Sequence, residues 1–348
     1  MSAATVIADA PQAPDLSDAA IAAGLARHLR DALGCAVQVE ALRRFTGGMS
    51  WITAAFTLRA MGHALNGRRF IVKVGSPAGL MAPYSALPQA RVLQALADSG
   101  VPVPALRWHS DDPAILAAPF LVTDCVAGEE LNPFTRDYGI ADASVLAPLG
   151  GELAQVLARL HRFDWQAAGI DTLQGEDAAQ SPGIAQVQFW QARVRRWSRR
   201  PQPLMAHASH WLQARAPQVA RPVVVHGDYR VGNFLSVGPR ITAMLDWEMT
   251  HLGDPHEDLA WVMLPDMRLA GLIDHEAFIA QYEAAGGLRV DRQALAYWQV
   301  FSLYKMVAIN LGGESGFLSG GQDLRLVCLA HNNPSFLLRL AQAMEEAA

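Results

Sequence analysis

The sequence is poor in cysteine, with only Cys35, Cys125 and Cys328 in 348 residues, far apart and without a Cys-x-x-Cys pair. That excludes a disulfide-stapled fold and the common zinc and dithiol patterns, and it points to a reducing compartment. An excess of positive charge is also missing. A formal net charge of -5 leaves no electrostatic footprint for DNA or RNA, so nucleic acid is not an expected partner. No stretch of about 20 residues is free of charges and helix breakers. The opening MSAATVIADAPQAPDLSD has neither a positive n-region nor a continuous apolar run. The expectation is a cytoplasmic protein, neither exported nor membrane-spanning. Internal repeats and low-complexity runs are absent.

What is present is a chain of 51% hydrophobic residues, enough to bury one large core or two modest ones. Residues 1–16 read as a mobile tail. Ser17 is a good N-cap for an amphipathic helix through Ile21, Leu25, Leu29 and Leu33, which Gly34 can end. Three short β-prone runs follow, VQVEAL, WITAAFTLRA and RRFIVKV, separated by a Gly-Gly turn and by HALNG. A helical run PQARVLQAL and an apolar run PFLVTDCV come next, and beyond Gly128 helical patterns dominate. The expected fold is α+β and two-lobed: a small antiparallel β lobe with a helix over 17–124, and a larger, mainly helical lobe over 125–348.

One region after Gly128 breaks the helical pattern. VVVHGDYRVGNFL carries an apolar strand into His226, Gly227 and Asp228, with Asn233 five residues later, and a second strand, ITAML, presents Asp246 eighteen residues after Asp228. Two carboxylates and an amide at neighbouring strand ends suit phosphoryl transfer, which needs in-line positioning and neutralised phosphate charge more than covalent help. Asp228 is placed at the reacting hydroxyl, chiefly to orient it, because a carboxylate lies roughly ten pKa units below an alcohol. Asn233 and Asp246 offer hard oxygens for magnesium. Upstream, Thr46, Gly47, Gly48 and Ser50 fill the turn between the first two strands, where backbone N–H groups can approach phosphate. Lys73 in FIVKV adds a point charge. The link from Thr123 to Gly128, centred on Asp124, Cys125 and Val126, offers backbone groups to a purine edge.

Taken singly, several of these features have plainer readings. A Gly-Gly turn is usually only a hairpin, and a strand lysine usually lies at an edge or snorkels. The joint spacing of Asp228, Asn233 and Asp246 is harder to reach by accident. His226, His251 and His256 crowd the same region without the His-x-x-x-His spacing of a zinc site, so a metal hydrolase is a minor alternative, and His251 and His256 read as surface or cap residues. RVRRWSRR, Arg193 to Arg200, reads first as a solvated helix face with Trp197 turned inward, and second as a docking surface for an anion through Arg195 and Arg196. Trp298, Tyr304 and Lys305 are candidate acceptor contacts, although an aromatic stripe at helical spacing is more often core.

With these residues in view, the chain resembles the aminoglycoside phosphotransferase family of the protein-kinase-like superfamily over roughly residues 25 to 340. HGDxxxxN, a short hairpin, LDWE, Lys73, the GG-x-S turn and PFLVTDCVAGEE fall in matching order. LDWEMTHLGDPHEDLAW and YWQVFSLYKMVAINLGG are most similar to a branch whose members are sometimes fused to acyl-CoA dehydrogenase modules. The resemblance implies a protein-kinase-like fold, ATP or GTP with Mg2+ as donor, a small-molecule hydroxyl as acceptor, Asp228 as catalytic aspartate, Asn233 and Asp246 as metal ligands, and His226 and Asp258 as scaffold. It implies nothing about oligomeric state. One departure stands out: Gln89 occupies the position where relatives carry the glutamate that pairs with the strand lysine. A non-catalytic nucleotide-binding protein is therefore one alternative. An antibiotic kinase is another, disfavoured because a cationic substrate calls for an acidic pocket while the densest charge feature here is arginine-rich. A hydroxy acid or hydroxyacyl-CoA acceptor fits both the branch and the arginines.

Overall fold

A computed structural model describes residues 14–77, 79–140, 142–174, 180–321 and 323–347, and most of the expected N-terminal tail lies outside them. α1 (Asp18–Leu33) begins where Ser17 Oγ accepts the Ala20 N–H at 3.2 Å and ends at Gly34, whose φ of 65° only glycine adopts at little cost. The expected three-strand meander is present as β1 (Gln38–Arg44), β2 (Trp51–Arg59) and β3 (Arg69–Gly75). After α2 (Leu87–Leu96) come β4 (Leu106–Ser110), the one-turn α3 (Pro113–Leu116) and β5 (Phe120–Asp124), giving a five-stranded antiparallel sheet of order β1-β2-β3-β5-β4.

Strand periodicity decides what each face of this sheet does. Ala54, Phe56 and Leu58 of β2, Phe70, Val72 and Val74 of β3, and Phe120 and Val122 of β5 pack with Ile21, Leu25 and Leu29 of α1 into one core. Successive strand residues point to opposite faces, so Lys73, between Val72 and Val74, is turned to the other side. That side carries Trp51, Leu121 and the α2 residues Val92, Leu93 and Leu96, which join the core of the helical lobe.

The second part begins with β6 (Glu129–Glu130), followed by α4 (Leu146–Arg162), α5 (Pro182–Trp197) and α6 (Pro203–Arg215). Next come β7 (Val223–Val225), β8 (Phe234–Val237), β9 (Arg240–Met244), β10 (His251–Gly253) and α7 (Pro255–Val262). α8 (His275–Ala284), α9 (Arg292–Leu318), α10 (Leu324–His331) and α11 (Asn333–Glu346) complete it. α9 is apolar nearly all round and runs through the middle of the lobe, as such a helix must. β7 pairs with β10, and β6, β8 and β9 form a second small sheet. No helix among the described residues is long and apolar enough to cross a membrane.

Candidate active site

The fully buried strand β7 delivers His226, Gly227 and Asp228 to the floor of the cleft beneath the five-stranded sheet. A Cβ on Gly227 would stand 2.5 Å from Met249 O, and its φ is 82°, so the turn requires glycine. Asp258 of α7, wholly buried, accepts the His226 N–H at 2.8 Å and the Gly227 N–H at 2.9 Å, with His161 Nε2 at 3.3 Å. Burial works against its charge, but the bonds from His161 and His226 outweigh it and hold the carboxyl below the usual carboxylate range. His226 donates through Nε2 to Leu245 O at 2.8 Å and accepts the Asp228 N–H at Nδ1, 3.2 Å away. Burial lowers the pKa of this ring, which keeps it neutral in that tautomer.

The Asp228 carboxylate is held from three sides. Oδ1 accepts from Trp261 Nε1 at 2.8 Å, Oδ2 from Asn233 Nδ2 at 2.6 Å, and Arg230 Nε lies 3.2 Å from both oxygens. So many donors fix its direction. Asn233 Nδ2 also donates to Asp228 O at 2.9 Å, and this use of the amide nitrogen leaves Oδ1 for a cation. Arg230 spends Nη1 on Val231 O at 3.1 Å, and its Nη2 meets no acceptor among the described residues. Burial lowers the pKa of this guanidinium, but the charges of Asp228 and Asp246 outweigh that and raise it.

Asp246 follows β9, and the Leu245 N–H donates to Asn233 O at 2.8 Å, which sets the two metal-ligand candidates on adjoining backbone. Asp246 itself has φ 58° and ψ 58°, a left-handed conformation uncommon outside glycine and asparagine that turns its side chain into the cleft. There Oδ1 takes the ammonium of Lys73, reaching down from β3. Burial opposes both charges, yet each holds the other: the Asp246 carboxyl is depressed and the Lys73 amine raised. The Asp246 side chain is still 45% exposed, so solvent screens the pair and its stabilising effect is modest. An oxygen-only donor set from Asp246 and Asn233 fits magnesium, which keeps several waters and takes phosphate oxygens as its other ligands. Among the described residues no cluster of three or more His, Cys, Asp and Glu side chains is arranged to hold a metal.

Glu248, two residues on, accepts from Trp51 Nε1 at 2.9 Å. Burial, and after it the charge of Asp246, pushes its carboxyl up to about 7. Its charge also acts on Lys73. Gln89 is buried in α2, and the Lys73 amine bonds Asp246 instead. Thr46, Gly47 and Gly48 lie exposed in the turn above, while Ser50 is half-buried, close enough to bond Glu248. In the link between the lobes the Asp124 N–H is taken by Ala105 O at 2.9 Å and that of Cys125 by Arg69 O at 3.3 Å. The Val126 N–H has no acceptor among the described residues. The Asp124 side chain faces away, bound by Arg107 and Arg68.

The remaining sequence-derived candidates separate. Lys305 is 1% exposed and donates to Gly227 O at 2.5 Å and Glu257 Oε1 at 3.2 Å, so it braces the Asp228 loop from below and is not an acceptor contact. Trp298 is packed in the core, as the aromatic-stripe reading has it. Tyr304 borders a cavity of about 460 Å³ between α5, α6 and α9 that is also lined by Arg195, Arg199 and Arg200 but not by Arg196. Trp197 is turned inward against Gly312. His251 and His256 do not lie on the surface, although His256 does bond the α7 N-cap, Asp254. His251 is half-buried and bonds Glu257 Oε2 at 3.0 Å, and His256 is buried and bonds Asp254 Oδ1 at 2.6 Å, so each completes a buried carboxylate.

Sequence reasoning alone missed Arg230, Trp261 and Glu248. Their nearness in the sequence to Asp228 and Asp246 was a signal for the first and last, whereas Trp261 reaches Asp228 only through the packing of α7.

The family model of the phosphotransferase enzyme family (APH) matches residues 62–298. Among curated relatives, mouse acyl-CoA dehydrogenase family member 10 is 27% identical over 251 residues, covering 66% of this chain and 22% of that protein. Human acyl-CoA dehydrogenase family member 11 is 28% identical over 267 residues, 69% of this chain and 33% of the relative. The chain thus spans a third or less of these relatives' length. Among solved structures, a candidate aminoglycoside phosphotransferase from Ralstonia eutropha JMP134 superimposes with a TM-score of 0.67 at 20% identity, covering 93% of this chain and 98% of that one. A thermostable mutant of aminoglycoside phosphotransferase APH(4)-Ia, in a ternary complex with AMP-PNP and hygromycin B, gives 0.56 at 17% identity, with 92% and 98% covered. These likenesses carry the kinase-like fold, and the family match extends over more than half of the sequence. The chain belongs to the phosphotransferase enzyme family.

Proposed function

We infer that this protein transfers the terminal phosphoryl group of ATP or GTP to a hydroxyl of a small molecule, with residues 17–124 as the nucleotide lobe and 125–348 as the catalytic and acceptor lobe. The observation that carries the reading is the meeting of Lys73 from the β lobe with Asp246 at the end of β9, one backbone hydrogen bond from Asn233 and beside the Arg230 that binds Asp228. In the reaction the acceptor oxygen bonds to the γ-phosphorus, the bond from that phosphorus to the β,γ-bridging oxygen breaks, and the nucleoside diphosphate leaves with the electron pair. Asp228 orients the hydroxyl and takes its proton late. Asn233 Oδ1 and Asp246 would hold magnesium, which when bound neutralises phosphate charge.

Lys73 sets a point charge toward the phosphates, and the free Nη2 of Arg230 is placed to neutralise the group in transit. The N–H groups of the 46–50 turn receive phosphate oxygens, and the free Val126 N–H, with Asp124 O, meets the purine. The APH(4)-Ia complex with AMP-PNP supports a nucleotide in this fold.

For the acceptor, the arginine-lined cavity supports an anionic molecule. Among the described residues no carboxylate borders it, and the buried Ser198 hydroxyl beside it lacks a hydrogen-bond partner. A hydroxy acid or hydroxyacyl-CoA fits that charge, and the relatives' names, which speak of acyl-CoA, point the same way. A polycationic aminoglycoside does not fit it. Gln89 is the one feature favouring a non-catalytic nucleotide binder, and the charge of Glu248 near Lys73 weakens that case. The test is magnesium-dependent ADP or GDP formation across a panel of hydroxylated acids, their CoA thioesters and aminoglycosides. Turnover confined to the aminoglycosides would overturn the acceptor reading, and nucleotide binding without turnover on any of them would favour the binder.

A further inference from the structure

The turn at residues 46–50 is held by a side chain from the far end of the sequence. Arg325, in the first turn of α10, donates from Nη1 to Thr46 O and to Gly47 O (3.3 Å), and from Nη2 to Gly48 O at 3.3 Å. The opposite edge of the same guanidinium is fixed by Asp323, the N-cap of α10, with Nε at 2.9 Å from Oδ1 and Nη2 at 2.6 Å from Oδ2. Three successive carbonyls of a glycine-containing turn are thereby gathered on one planar cation.

A peptide whose carbonyl points one way sends its N–H the other way. With the Thr46, Gly47 and Gly48 carbonyls committed to Arg325, the N–H groups of Gly47, Gly48 and Met49 are directed off that edge. None of them donates to a protein group among the described residues. Consecutive free N–H groups are what an anion-binding nest consists of. A turn with two glycines and exposed flanks would otherwise sample many arrangements of these dipoles.

We propose that Arg325 is a positioning residue that grips the carbonyl edge of the 46–50 turn, presets its N–H edge for the nucleotide phosphates, and ties the small lobe to the helical lobe at the cleft mouth. The proposal rests on the phosphotransferase reading above. Arg325 would not itself touch the phosphates, because its donors are already spent on Asp323 and the turn. A planar fork is needed to reach three carbonyls while holding Asp323, and an ammonium cannot do both.

The test uses the whole protein, with Arg325→Ala and Arg325→Lys. Titration with AMP-PNP or GMP-PNP and magnesium, without acceptor, gives affinity, and backbone order parameters of the 46–50 turn from nitrogen relaxation in the free protein read the grip directly. The expected result for Arg325→Ala is about tenfold weaker nucleotide binding and lower order parameters confined to the turn. Its acceptor KM should match wild type and its melting temperature should stay within about 2 °C. Arg325→Lys should fall between. Unchanged affinity, or weaker affinity with unchanged order parameters in the turn, would overturn the proposal, the second result making Arg325 a direct phosphate ligand. A wild-type protein that binds neither AMP-PNP nor GMP-PNP would instead sink the phosphotransferase reading, and this inference with it.

Discussion

Trp51 Nε1 donates to Glu248 Oε2 at 2.9 Å, joining the first residue of β2 to the turn that carries Asp246. The Glu248 carboxyl, pushed up to about 7 by burial and by Asp246, is raised well above its unfolded value. His251 is raised too, because Glu257 outweighs the burial that disfavours its charge. For both groups the folded chain binds more protons than the unfolded one, so stability falls as pH rises. Glu248 acts from about 4.5 to 7 and His251 from about 6.5 upward. The lowered His226 works in the opposite sense, losing stability only as pH falls below about 6.5. The melting temperature should therefore decline from pH 6.5 to 8. Glu248→Gln, which keeps an acceptor for Trp51, should melt about 2 °C or more above wild type at pH 8. An equal melting temperature at pH 8 would place the Glu248 proton elsewhere.

Asp228 and Asp246 should fail differently. Asp246→Asn removes negative charge from both Lys73 and the cation site, so metal-nucleotide affinity and turnover should fall together. Asp228→Asn keeps the shape that Trp261 and Arg230 hold, and it should bind nucleotide near wild type while kcat falls roughly 10²–10⁴-fold. Calorimetric titration and single-turnover assays measure the two. The reverse pattern would exclude the mechanism.

Arg230 should matter to the chemical step more than to either binding step. Arg230→Met is expected to lower kcat by about 10²–10³-fold with nucleotide affinity changed only a few-fold, since a lost electrostatic donor costs on that scale. Arg230→Lys should recover part. A kcat equal to wild type in Arg230→Met would show that the free Nη2 faces only solvent.

Lys305→Met should be a stability variant. It leaves Gly227 O and Glu257 without their buried cation, for a loss of roughly 3 kcal/mol, read as a lower urea midpoint. Adding Glu257→Gln should return part of that loss, because in Lys305→Met only His251 is left to balance the Glu257 charge. If Lys305→Met unfolds like wild type but raises the acceptor KM, then Lys305 contacts the acceptor after all.

The N-capped first helix, the β-meander and the set Asp228, Asn233 and Asp246 were legible because each is encoded locally, by a cap, a period of two, or spacing along one hairpin. Lys73's orientation follows from the alternation of its strand. What was not legible depends on contacts distant in sequence. Trp261 reaches Asp228 from α7, Lys305 turns beneath Gly227 and not toward a pocket, and Arg325 crosses 277 residues to Gly48. Helical periodicity places a residue on a face but does not say which neighbour that face meets.

The burial of Lys305 and the cleft position of Lys73 have a chemical consequence, because these are the two lysines among 28 lysine and arginine residues. Lys305 is 1% exposed and Lys73 16%. A nucleotide carrying an acylating group on its terminal phosphate thus has one accessible side-chain amine to modify in the whole chain. Acylation there is a stoichiometric report of cleft occupancy, readable by intact mass without any knowledge of the acceptor.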